Sequence, residues 1–199
     1  ENGYFRFSHL AARVGHMLLN GEYALLPIGD FSRVLAQYPT YGEHVFIRPD
    51  EGDKSIPSGT FDIYSSDDQM GYLKRIQDDS HRLGYADKLV VIAPYQSEIK
   101  KEFRLFFKGR EFVTGSQYMD GYSAEIEPIK EEDNRLLKDW IYHNLPQLGD
   151  AGLLPDNQLS VLDVAIVGRH KLVRIVEMNC FNTSNTYDCD LDKLAKAAV

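Results

Sequence analysis

Three oxygen-bearing side chains, Asp163, Glu177 and Asn179, stand on two apolar segments, residues 162–167 and 173–179, joined by a short polar turn. An uncompensated carboxylate is expensive to bury. Two of them plus an amide on paired strands point to a cation at the end of a sheet. Glu177 and Asn179 are two apart, so a strand projects both to one face. Asp163 must reach that face from the partner strand. An even-length loop would set it near Val176, on the wrong side; a three-residue loop, Arg169, His170 and Lys171, with Gly168 in a bulged turn, sets it opposite Glu177. The odd register is the expectation. Hard oxygen donors, with no His or Cys fixed into the same face, suit magnesium or manganese better than zinc. The competing reading makes Asp163 a strand end and pairs Glu177 with Arg174 or Lys171.

A magnesium ion held by carboxylates is usually shared with substrate phosphates. Arg48, at the end of a predicted strand, and Lys54, in the loop beyond it, offer forked and point-charge contacts to phosphate oxygens. Gly52 and Gly59 could let backbone approach such a group, although the spacing is not that of a P-loop. Asp50, Glu51 and Asp53 oppose this unless they turn away, and the competing reading is a solvated loop with surface ion pairs. Further along, Glu102 and Arg104 share one strand face while Phe103, Leu105 and Phe107 take the other. Arg104 could meet phosphate, neutralise a carboxylate of the metal site, or pair with Glu102 or Glu111. The run Val91, Ile92, Ala93, Pro94, Tyr95 suits a hinge over a flat base, its backbone reading the ring edge. The six histidines form no catalytic signature and read as surface or core residues, His170 being exposed in its turn. Residues 182–187 form a polar loop just after the metal strand, a location that suits substrate contact.

These residues need elements to position them. An apolar stripe of Leu10, Val14, Met17 and Leu18 predicts a helix over residues 8–19. A second helix is expected from Asp30 to Tyr38, ended by Pro39. Strands are expected over 45–49 and 60–64, then a helix opened by a capping box at Ser66 and reaching Leu83. The continuous apolar run 89–93 reads as a buried strand. Residues 103–107 and 111–116 form a hairpin about Lys108 and Gly109. A helix over 131–144 turns Leu136, Leu137, Trp140 and Ile141 inward behind an acidic first turn. The metal hairpin follows, and a last helix begins near Leu191. Hairpins outnumber crossovers, which predicts mainly antiparallel sheets in an α+β protein.

At 199 residues, with 43% hydrophobic and 26% charged residues, the chain suits one domain or two small lobes. A formal net charge of −8 argues against a sequence-independent grip on nucleic acid. No apolar run reaches the length of a membrane span, and no signal-peptide pattern opens the chain. The two cysteines, Cys180 and Cys189, lack metal-site spacing and read as reduced thiols in a cytoplasmic compartment. The chain begins at Glu1 rather than Met, so an upstream segment is expected.

Taken in order, the segments beginning VFIRPDEGDK at Val45, VVIAPYQSEIKKEFRLFF at Val90 and LDVAIVGRHKLVRIVEMN at Leu162 resemble the ATP-grasp superfamily. Within it the resemblance is to the phage and bacterial clade with paired Arg and Lys in the first motif, which implies the cytoplasm of a bacterial or phage-infected cell. The resemblance implies an α+β ATP-grasp fold, two lobes of mainly antiparallel sheet with the nucleotide between them. Residues 1–44 would be a remnant of, or connection from, an N-terminal lobe. Residues 45–199 would form the ATP-grasp domain, 45–92 its first lobe and 93–199 its second. Arg48, Lys54 and Arg104 then resemble triphosphate-facing catalytic cations. Val91, Ile92, Ala93, Tyr95 and Glu102 line the nucleotide with them, and Asp163, Glu177 and Asn179 hold magnesium or manganese. The implied activity is ATP-dependent ligation of a small-molecule or peptide carboxylate to an amine or similar nucleophile through an acyl phosphate. An ATP-binding interaction module without turnover and a phosphotransferase using the same cleft are the alternatives. The oligomeric state is not readable from the sequence.

Overall fold

The computed structural model describes residues 6–30, 44–51, 58–62, 67–121 and 123–199. The chain forms two compact units, and the described residues fall into 6–8 with 20–96, and 9–19 with 97–199. Helix α1 (Phe7–Val14) contributes its first residues to the first unit and the rest to the second.

The first unit holds β1 (Ala24–Pro27), β2 (His44–Pro49), β3 (Gly59–Asp62), α2 (Asp67–Leu83) and β4 (Leu89–Pro94). Its sheet runs β1-β4-β2-β3, every pairing antiparallel. The central position of β4 explains its unbroken apolar run, because Val90, Val91, Ile92 and Ala93 are all buried. Strand β2 alternates instead. Val45 and Ile47 enter a core with Leu26, Ile28, Phe61, Leu73, Val90 and Ile92, while Phe46 and Arg48 are half-buried on the other face. The expected helix at 30–38 beyond Asp30, together with Lys54 and the Ser66 cap, lies outside the described residues.

The second unit carries β5 (Ile99–Lys108), β6 (Glu111–Asp120), β7 (Ser123–Pro128), α3 (Glu131–Asp150), β8 (Leu159–Val167), β9 (Leu172–Cys180) and α4 (Leu191–Ala198). Its antiparallel sheet runs β7-β6-β5-β8-β9. The β5–β6 turn is Gly109 and Arg110, with the positive φ of 55° at Gly109 that a two-residue II′-type hairpin asks of its first central residue. Phe103, Leu105 and Phe107 are fully buried on one face. Lys101 shares that face and ties it to the first turn of α3 by a 2.6 Å ion pair with the buried Asp133. On the opposite face, Phe106 and Val161 pack with Cys189 and with Leu194 of α4, whose N-cap is Asp190.

Two helices depart from expectation. Helix α1 ends at Val14, five residues short of the expected end at Leu19, and tightens into a 3-10 turn at Gly15–Met17, although Leu10, Val14, Met17 and Leu18 are all buried. Glycine is a poor helix former, and Leu18 and Leu19 instead meet β9, where the Leu19 amide donates to the Ile175 carbonyl at 2.7 Å. Helix α3 runs past Asn144 to Asp150 with Pro146 inside it. The carbonyl that Pro146 cannot serve belongs to Tyr142, on the solvent side, and the buried Leu148 anchors the final turn. Leu137 and Ile141 are buried, while Leu136 and Trp140 are half-buried rather than turned fully inward. Among the described residues, no helix is long and apolar enough to cross a membrane.

Candidate functional site

Strands β5 and β8 set Arg104 directly opposite Asp163, and β8 and β9 set Asp163 directly opposite Glu177. The expected register holds, for a different reason. The β8–β9 turn has four residues, 168–171, between the paired Val167 and Leu172, and by itself would bring Val176 to Asp163. A β-bulge at Val176 adds the missing residue. Before the bulge, Val173 and Ile175 pair with Ile166 and Val164; after it, Glu177 and Asn179 stand opposite Asp163 and Val161. The bulge therefore transfers the odd-numbered residues from the core face to the polar face.

The side chains form one network. The Arg104 Nε and Nη2 donate to Asp163 Oδ1 and Oδ2 at 2.8 and 2.7 Å, a forked pair, and its Nη1 donates to the Asn185 carbonyl at 3.1 Å. Asn179 Nδ2 donates to Glu177 Oε1 at 2.7 Å and to Asp163 Oδ2 at 3.3 Å. Tyr118, the extra residue of a second bulge on β6, donates its hydroxyl to Glu102 Oε2 at 2.5 Å. Tyr118 and Tyr187 stack on each other, and their ring centroids lie 5.7 and 4.9 Å from the Arg104 guanidinium. Of the carboxylates that Arg104 could meet, the structure pairs it with Asp163 rather than with Glu102 or Glu111.

Burial and neighbouring charge set the electrostatics of the network. Arg104 is 8% exposed and Asp163 1%, and Glu177 acts on both Glu102 and Asp163. Burial, opposed by the Arg104 hydrogen bonds and charge and aided by Glu177, pushes Asp163 up to about 6. Burial also raises Glu102 against its Tyr118 bond, with the Glu177 charge adding to the rise. Burial works against the Arg104 charge, but Asp163 outweighs it and carries the guanidinium above its usual range.

Among the described residues no three His, Cys, Asp or Glu side chains form a ready-made metal cage, so an ion at Asp163 and Glu177 would need a donor of another kind, which Asn179 could supply. Its amide already touches both carboxylates, and a half-turn puts Oδ1 where Nδ2 now lies. Two carboxylates and an amide oxygen at one point fit magnesium or manganese.

The remaining expected site residues lie in the first unit. Arg48 pairs with Val91 across β2 and β4, its guanidinium 5.9 Å from the Phe7 ring centroid. Val91, Ile92 and Ala93 are buried, and Tyr95 meets His44 edge-on. Two of the three acids that oppose a phosphate role for Arg48 are engaged elsewhere. Asp50 accepts from the Ser8 amide and hydroxyl at 2.6 and 2.8 Å, capping α1 from a distant loop, and Glu51 pairs with Arg6. Tyr118 and the Asn185 carbonyl are the contributions that sequence reasoning missed. A tyrosine at a bulge carries no spacing signal, and a backbone carbonyl carries none at all.

No family model matches the chain, and no curated protein matches it in sequence. Solved structures do. D-cycloserine synthetase DcsG superimposes with a TM-score of 0.59 and 13% identity, over 96% of this chain and 66% of its own. D-alanine–D-alanine ligase from Bacillus anthracis, in complex with ATP, gives 0.60 and 14%, over 96% and 58%. The ATP-grasp ligase PsnB, in complex with its minimal precursor, Mg and ADP, gives 0.55 and 11%, over 97% and 58%. The chain spans less than two thirds of the length of each of these proteins. What they share with it is the arrangement of the backbone: two antiparallel sheets with helices, the α+β fold of the ATP-grasp ligases.

Proposed function

We propose that this chain is the nucleotide-binding core of an ATP- and magnesium-dependent ligase, joining a small-molecule or peptide carboxylate to an amine or similar nucleophile. One observation carries the reading: the side chains of Asp163, Glu177 and Asn179 converge beside Arg104, on a sheet whose fold is shared with ATP-grasp ligases. Two carboxylates and an amide so placed suit a hard divalent cation. The proteins of like fold include one in complex with ATP and one with Mg and ADP, which supports the same ligands here.

In this reading Asp163, Glu177 and Asn179 hold the metal, which when bound would neutralise β- and γ-phosphate oxygens. Arg48 and Lys54 meet phosphate oxygens, Arg104 joins them as charge moves onto the transferring group, and Glu102 with the strand at Val91, Ile92, Ala93 and Tyr95 contacts the nucleoside. The substrate carboxylate oxygen attacks the γ-phosphorus, the bond to the β–γ bridging oxygen breaks, and ADP departs. The nucleophile then attacks the acyl carbon and loses its proton, and inorganic phosphate leaves with the electron pair. No side-chain nucleophile is required. Positioning and charge neutralisation supply the rate.

ADP release, followed with magnesium across a panel of carboxylates and amines, tests this. Glu177→Ala is expected to lower magnesium-dependent ADP release by about 100-fold or more, and an unchanged rate would count decisively against the assignment. The forked Arg104–Asp163 pair favours one alternative, a nucleotide-binding module without turnover, because it already neutralises a metal ligand. Calorimetric ATP binding with no ADP formed on any substrate would select that alternative.

A further inference from the structure

We infer that Arg104 is a resident stand-in for the divalent cation, clamped by Tyr187 and the Asn185 carbonyl, so that loading the metal and releasing Arg104 from Asp163 are one linked event. The inference rests on the assignment of Asp163, Glu177 and Asn179 as metal ligands.

Arg104 covers both oxygens of Asp163, and Oδ2 also receives Asn179 Nδ2. A divalent ion at Oδ2 must displace the Asn179 donor and then lies against a guanidinium whose Nη2 is 2.7 Å from the same oxygen. Two cations on one carboxylate oxygen repel, so each weakens the hold of the other. The released guanidinium keeps its charge and its fork, which are the features that bind phosphate.

The clamp is built rather than incidental. Tyr187 sits at φ 48°, in the left-handed region that a non-glycine residue adopts at a cost. Its amide donates to Asn185 Oδ1 at 3.3 Å, while the carbonyl of the same asparagine accepts from Arg104 Nη1. Its ring centroid lies 4.9 Å from the guanidinium and stacks on Tyr118. One strained turn thus supplies both an acceptor and an aromatic face to a single arginine. In this arrangement Tyr187 is a positioning residue for Arg104.

The test is manganese binding without nucleotide, measured by calorimetry and by the shift of the thermal midpoint on adding manganese. Removing the stand-in by Arg104→Gln is expected to tighten manganese binding about tenfold, as when a competing closed state is abolished. The manganese-induced rise of the midpoint should grow with it. Arg104→Lys keeps the charge without the fork, and Tyr187→Leu loosens the clamp; both should shift affinity the same way by less. Adding Glu177→Ala to the Arg104→Gln background should erase the gain, which ties it to this site. Folded Arg104→Gln protein with unchanged or weaker manganese affinity overturns the inference. If Arg104→Gln does not fold, unchanged affinity in Tyr187→Leu overturns it equally. Wild-type protein that binds magnesium and ATP while the variants leave manganese affinity unmoved sinks the inference and spares the proposed function. The expected manganese series in a protein that binds no ATP does the reverse.

Discussion

Two neighbouring rungs of the second sheet, on opposite faces, reach burial by opposite routes. One rung reads Gln117, Phe103, Val164, Ile175 across β6, β5, β8 and β9, and every member is fully buried. The next reads Ser116, Arg104, Asp163, Glu177 on the same four strands. The first rung is held by apolar contact on both sides, apart from Gln117, whose amide has no partner among the described residues. The second is held by ion pairing, and burial shifts Asp163 upward in spite of that pairing. The backbone is indifferent to the choice. What separates a structural rung from a chemical one is whether its charges balance internally, and those of the second do not.

The comparison can be broken at three places, taken from the largest expected effect to the smallest. Phe103→Ala and Arg104→Met should each cost about 3–5 kcal/mol in urea unfolding, the first through a cavity and the second through an unpaired buried carboxylate. Measured against wild type at the same manganese concentration, only the second loss should shrink. Recovery in Phe103→Ala as well would mean that the rungs do not differ in kind. Gly115→Ala should cost about 1–3 kcal/mol by overpacking. Its Cβ would meet the Arg104 carbonyl oxygen and Leu105 Cδ2 at 2.8 Å, and Ile129 Cδ1 at 3.0 Å. The smallest change is expected from the double variant Arg104→Met with Asp163→Leu. Replacing a buried ion pair by apolar side chains should leave stability within about 1 kcal/mol of wild type, or raise it, while ADP release is lost. A double variant as unstable as Arg104→Met alone would show that the pair itself stabilises the fold.

Much of this was legible along the chain. The alternation in β5, the unbroken run in β4 and the apolar phases of the hairpins follow from period-two burial. The β8–β9 register was inferred from the need to gather Asp163, Glu177 and Asn179, but its cause was misassigned to the turn. The signal lay in β9 itself, where buried positions fall on Val173 and Ile175 and then on Met178. A change of phase within one strand is what a bulge produces. Strands β1 and β7 went unread because both are short edge strands. β1 ends in proline, and β7 carries Glu125 and Glu127 on an exposed stretch, features that edges use against unwanted pairing. The cap of α1 by Asp50 was invisible for a different reason. A local motif can be read from spacing, whereas a helix capped from another element requires the tertiary structure.

The Val176 bulge also sets what a change of chain length would do to this strand. Excising that one valine would leave a regular ladder in which Glu177 follows Ile175 and still stands opposite Asp163, with Asn179 still opposite Val161. Excising Met178 instead would bring Asn179 opposite Leu162 and turn it among the hydrocarbon side chains, away from Glu177. Two three-nucleotide deletions a few codons apart thus differ in kind, one trimming a spare residue and the other dividing the donors of β9 between two faces.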